Sequence, residues 1–176
     1  MSKPLEPKPA KLIASLFTPD SSIIDETLKR LRAHWGDTDY LSESIPFNYT
    51  DYYAEEMGAH LVRRFVSFRK LIPPDTLPNL KLYTNNIEEH FSIDHKRRVN
   101  IDPGYITPER LVLATGKNYS HRIYLRDGIY ADLTLIFKKG SFTPLEWTYP
   151  DYAASQIIEL MNTIRKRYME QLRERA

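Results

Sequence analysis

Short apolar runs alternate with helical spacings along the first half of the chain. Lys11–Phe17 is an apolar run closed by Pro19, and it reads as a largely buried strand. Ile24, Leu28, Leu31 and Trp35 then recur at i, i+4, i+7 and i+11, with Asp20, Ser21 and Ser22 ahead of them and Gly36 behind. That spacing predicts a helix with both ends capped. Thr38–Ile45 reads as extended, Pro46–Gly58 as a tyrosine-rich connector or irregular strand, and Leu61–Lys70 as a strand carrying Val62, Phe65, Val66 and Phe68. Pro73-Pro74-Asp75 stops that strand, after which Leu80, Tyr83, Ile87 and Phe91 predict a second helix.

Val99 and Ile101 alternate with Arg98, Asn100 and Asp102, the period-2 pattern of a strand with one dry and one wet face, ended by Pro103-Gly104. The next segments, Leu111–Thr115, Tyr119–Leu125 and Ile129–Phe137, read as a three-stranded meander joined by Gly116-Lys117-Asn118 and Arg126-Asp127-Gly128. A turn with a bulge at Gly128 sets Arg122 against Asp132 and Leu125 against Ile129, and it puts Ile129, Ala131, Leu133, Leu135 and Phe137 on the core side. From about Asp151, Ile157, Met161, Ile164, Tyr168 and Leu172 form the apolar stripe of a final helix with a basic end.

The sum is an α+β single domain over residues 10–176, preceded by an extended arm over 1–9 that holds prolines at 4, 7 and 9. Its β-α-β-β-α-β order is ferredoxin-like and asks for a mixed or antiparallel sheet with helices on one side, followed by a β-hairpin extension and a C-terminal helix.

Composition narrows the function classes. The 176 residues carry 25 Lys+Arg against 23 Asp+Glu, a net charge of +2, so nucleic acid is not the expected partner. The absence of cysteine excludes disulfides, thiolate metal sites and cysteine nucleophiles, and fits a cytoplasmic setting. No apolar run approaches the roughly 20 residues of a membrane span, so no membrane partner is expected.

Motifs are mostly negative. There is no phosphate loop, because Gly116-Lys117 is followed by Asn118 and lacks the earlier glycine, and neither G-x-G-x-x-G nor G-x-S-x-G occurs. Glu88, Glu89, His90, Asp94 and His95 are metal-capable types, yet His90 and His95 stand about 140° apart on a continuous helix, and the cluster reads as a solvated helix exit. No cofactor follows from these residues.

Two groups carry candidate chemistry. His121 falls on the inward face beside Tyr119 and Ile123, either as a buried neutral imidazole or as a catalytic acid or base, with Asp102 as the second proton-transfer candidate. Arg98, Asn100, Asp102, Arg122 and Asp132 share the wet face with Tyr105, and they form either a cleft for a small anionic ligand, phosphate- or carboxylate-bearing, or a ladder of cross-strand ion pairs. Tyr52 and Tyr53, in one of two tyrosine-rich loops, are expected to pack against the ligand's organic part. The alternative function is a non-catalytic interaction or homo-oligomerisation module built on the same aromatic loops.

The strings Pro46-Phe47-Asn48-Tyr49-Thr50-Asp51-Tyr52-Tyr53, Arg64-Phe65-Val66-Ser67-Phe68, Arg98 to Tyr105, His121-Arg122-Ile123-Tyr124-Leu125 and Trp147 to Tyr152 resemble the bacterial domain-of-unknown-function family 4416. The resemblance covers nearly the whole chain and implies no activity. Some members carry a GTP-binding label, whereas this chain has neither a phosphate loop nor an N-K-x-D string.

Overall fold

The computed structural model describes residues 1–47, 53–58 and 60–175. Residues 1–9 are exposed and outside regular structure. β1 (Ala10–Thr18) follows, and all nine of its residues are buried. Burial on both faces places it at the sheet's centre, antiparallel to β4 (Val62–Ile72) on one edge and β5 (Asn100–Ile106) on the other. The remaining strands are β2 (Thr38–Leu41), β3 (Ile45–Pro46), β6 (Arg110–Thr115), β7 (Arg122–Arg126), β8 (Ile129–Lys138) and β9 (Ser141–Pro144). They form one antiparallel sheet in the order β2-β4-β1-β5-β6-β8-β7, with β3 on β4 and β9 on β8. The molecule is an α+β domain.

Helices cover both faces rather than the one expected. α1 (Ser21–Trp35), capped by the Asp20 side chain on the Ser22 amide, packs with α3 (Leu77–Phe91) against Leu12, Leu16, Phe68 and Ile101. Beyond the short α4 (Pro150–Ala153), α5 (Ser155–Glu174) lays Ile157, Met161, Ile164 and Tyr168 on the opposite face, over Ile13, Phe65, Leu111 and Leu135. The alternating residues of β1 explain why. Leu12 and Leu16 face one layer and Ile13 faces the other, so a one-sided domain would leave apolar rows in water, each large side chain costing about 2 kcal/mol.

The expected meander is overturned. β8 lies between β6 and β7, because its apolar residues need neighbours on both edges, whereas the arginine-ended β7 tolerates the sheet margin. The hairpin register holds from Arg122↔Asp132 to Tyr124↔Tyr130, yet Arg126, not Leu125, opposes Ile129. Asp127 and Gly128, with φ of 54° and 75°, make a two-residue turn, and the irregularity sits in the strand between Tyr124 and Arg126. A second bulge, at Thr134, puts Leu133 opposite Val112 and Leu135 opposite Leu111. The apolar row of β8 is therefore split, Ile129 and Leu133 facing α1 and α3 while Leu135 and Phe137 face α5.

Candidate active cleft in the sheet

β5 and β6 pair only over Gly104–Ile106, where they meet Leu111–Leu113. Beyond that point Asn100–Pro103 stays with β1, Ala114 and Thr115 stay with β8, and the sheet forks. Gly104 marks the apex, since a Cβ there would lie 2.5 Å from the Val112 carbonyl oxygen. Below the apex α3 takes the place of the missing strand. Lys81 Nζ donates to the Ile101 carbonyl at 2.9 Å, and Glu88 Oε1 accepts from the Ile101 amide at 2.6 Å. One residue's two ladder bonds are thus made by two side chains a helical two turns apart. Pro103, two residues on along the same edge, has no N–H to leave unpaired.

The fork opens a cleft of about 810 Å³. Asn100 and Asp102 of β5 face Arg122 of β7 and Asp132 of β8 across it, and Lys81, Asn85 and Glu88 rise from α3. Phe47, Tyr53, Tyr149 and Tyr152 supply aromatic walls. Arg63 enters from β4, only 4% exposed, with its guanidinium 4.1 Å from the Phe47 ring centre and Nη1 bonded to Asp151.

Each described pair of opposite charges is closed in this cleft. Arg97 grips Glu56 of α2 (Ala54–Met57) through Nε and Nη2 at 2.7 and 2.8 Å, and its Nη1 reaches Asn100 Oδ1 at 2.7 Å. That fork lowers the Glu56 carboxyl below its usual range and raises Arg97. Asn100 passes the chain on, donating to Asp102 Oδ2 at 2.7 Å, and Lys81 Nζ stands 3.5 Å from Asp102 Oδ1. On the opposite wall Arg122 donates to Asp132 Oδ2 at 2.8 Å, to the Lys117 carbonyl and to the Tyr149 hydroxyl. Burial pushes Glu88 up toward its neutral form, with Lys81 opposing. Burial likewise raises the Tyr53 phenol, and the Asp102 charge adds to it.

The cleft brings together five of the residues singled out by sequence: Asn100, Asp102, Arg122, Asp132 and Tyr53. His121 stands behind the wall. Its Nε2 lies 3.3 Å from Asp132 Oδ2, and its ring stacks on Trp147 at 5.1 Å, so it is covered by an aromatic loop rather than by the core; Ile123 beside it is 70% exposed. Arg98 lies elsewhere, paired with Asp20 at the start of α1 at 2.9 Å. Strand alternation counted back from Ile101 fails there because β5 begins only at Asn100 and Arg98 sits in a bend. Tyr105 faces the α1 and α3 layer, opposite Asp102, with its phenol raised by burial. Tyr52 lies outside the described residues.

Sequence reasoning missed Arg97, Lys81, Arg63 and Asp151, and it read Glu88 as solvated although it is 6% exposed. Lys81, Asn85 and Glu88 share one helical face at i, i+4 and i+7, a polar stripe that was the available signal. The metal-capable cluster is dispersed: Glu88 turns into the cleft while His90 meets Arg30, and among the described residues no group of three such side chains could hold an ion. No described helix is long and apolar enough to cross a membrane.

These features define a class: an α+β domain whose antiparallel sheet splits around a charge-paired, aromatic-walled cleft. The chain belongs to the family described as Domain of unknown function (DUF4416), which matches residues 8–168. No curated protein and no solved structure matches it.

Proposed function

We propose that the cleft binds a small organic ligand carrying a phosphate or carboxylate. The observation that carries this reading is the convergence of Arg63, Lys81, Arg97, Lys117 and Arg122, from five separate stretches of chain, on one aromatic-walled cavity of about 810 Å³. The acids Glu88, Asp102, Asp132 and Asp151 share that cavity, with Glu56 held by Arg97. Asp102 contacts the bound molecule, and His121 acts through Asp132, which it and Arg122 both address. Its setting is cytoplasmic, as a chain without cysteine suits. The unit β2-β4-β1-β5 with α1 and α3 is read as ferredoxin-like, extended by β6 to β9. The test is thermal denaturation with a panel of phosphates and carboxylates. A stabilising shift lost in Arg122→Ala, with the unliganded melting point kept, supports the reading; no shift from any member defeats it.

The exposed edge of β7 favours a second reading, pairing with another copy. Ile123, Tyr124 and Leu125 are exposed there between two arginines. Sedimentation over a concentration series decides it, a mass that stays monomeric ruling it out.

A further inference from the structure

Resting on the ligand cleft proposed above, we infer that its occupant is polyhydroxylated, a sugar acid or sugar phosphate, whose hydroxyl groups donate to Asp102. The hydrogen-bonding capacity left in the cleft is the reason. Three of its described basic groups are spent and Arg63 keeps Nε without an acceptor: Arg97 Nε, Nη1 and Nη2 each have one, so have the three nitrogens of Arg122, and Lys81 Nζ is shared by the Ile101 carbonyl, Asp102 and Glu88. The carboxylates differ among themselves. Asp132 takes Arg122, His121 and Thr134 and is 10% exposed at its side chain. Asp102 receives one bond at 2.7 Å and one long contact at 3.5 Å, and its side chain is 30% exposed, the most open of the four acids that line the cleft.

A carboxylate offers about four acceptor sites, so Asp102 retains room for donors. Asn85, which lines the same cleft, presents an amide with no partner among the described residues, able both to donate and to accept. Tyr149, which accepts from Arg122, keeps its own hydroxyl hydrogen to give. Acceptor, amide and hydroxyl are what vicinal hydroxyls satisfy, since each hydroxyl is at once donor and acceptor. Tyr53 and Tyr149 line the same cavity, and an aromatic ring is a surface on which the C–H face of a sugar rests. A bare inorganic anion would use none of these groups.

Calorimetric titration tests this with glucose 6-phosphate, ribose 5-phosphate, gluconate, glucose and inorganic phosphate against the wild-type chain, Asp102→Asn and Asp102→Ser. Expected is that at least one hydroxylated anion binds ten-fold or more tighter than inorganic phosphate, and that both variants lose ten-fold or more of that affinity while inorganic phosphate, relieved of a like charge, does not weaken. Two substitutions are used so that misfolding of one, seen by its unliganded melting point, leaves the other. Phosphate binding equal to the sugar phosphates, or unchanged sugar affinity in folded variants, overturns the inference and leaves the anion reading standing. Glucose binding as tightly as its phosphate upholds the hydroxyl contacts and overturns the anion reading. No binding by any probe overturns both.

Discussion

Glu88 accepts the Ile101 amide at 2.6 Å, and through this one bond a helix carboxylate completes a strand that has lost its neighbour. Glu88→Ala leaves the buried amide unpaired and takes a partner from Lys81, so it should cost about 3 kcal/mol in urea denaturation. Glu88→Gln keeps an acceptor and should cost far less. The two proteins also differ in pH dependence. The Glu88 carboxyl is raised on folding, so its contribution is full below the ordinary glutamate range near 4.5 and is lost as pH rises through the folded value. Melts at a series of pH values should show that fall in the wild type and not in the glutamine variant.

Gly104 sets how closely the fork's arms approach. Gly104→Ala drives a methyl group against the Val112 carbonyl and the Leu113 backbone, and it should destabilise the domain by about 2 kcal/mol. Gly116, on the cleft's rim, has open space at its Cβ position and no positive φ, so Gly116→Ala should fall within about 0.5 kcal/mol of wild type. Equal losses in the two variants would refute the close-approach argument.

Arg97 and Arg98 are adjacent in sequence and opposite in consequence. Arg98 and Asp20 meet with side chains about two-fifths exposed, and Arg98→Ala should cost less than about 1 kcal/mol without touching ligand binding. Arg97 ties Glu56, Asn100 and, at 3.5 Å, Glu88 together, and Arg97→Ala should cost about 2 to 3 kcal/mol and weaken any cleft ligand. Arg97→Lys should not rescue it, since an ammonium cannot make the two parallel bonds to Glu56. Paired denaturation curves with one ligand titration separate the two.

What could be read from sequence divides along the range of the interactions. α1, the strand around Phe65 and the stripe from Ile157 to Tyr168 follow from local periodicity, and each lies where the spacing put it. The Arg122↔Asp132 register was also reached, although from a bulge expected at Gly128, because one extra residue anywhere between the turn and Arg122, here in the strand between Tyr124 and Arg126, gives the same pairing. The position of β8 between β6 and β7 was not, since all three segments look alike and only the whole sheet decides which needs two partners. β9 escaped notice although Lys139-Gly140, both at positive φ, turns the chain into it. Within the cleft, Asp102 and Arg122 were reachable through alternation along strands. Lys81 and Arg63 were not, because a lysine in a helix and an arginine in a strand look solvated until the layer that buries them is known.

Tyr168 offers an alkaline test of how the last helix is held. It is fully buried, its hydroxyl donates to the Pro9 carbonyl at 2.7 Å, and burial pushes the phenol up to about 12. A raised acid stabilises the fold below its unfolded value, near 10, and that contribution is lost as pH climbs through the folded one. Tyr168→Phe removes the hydrogen bond and should cost about 1 kcal/mol at neutral pH, while nothing remains at that position to ionise. The wild type and the variant should therefore converge as pH passes from about 10 towards 12, the phenylalanine form ending the more stable. Urea midpoints measured across that range decide the matter. A gap between the two proteins that stays constant would mean that the phenol ionises no more reluctantly in the fold than in the open chain.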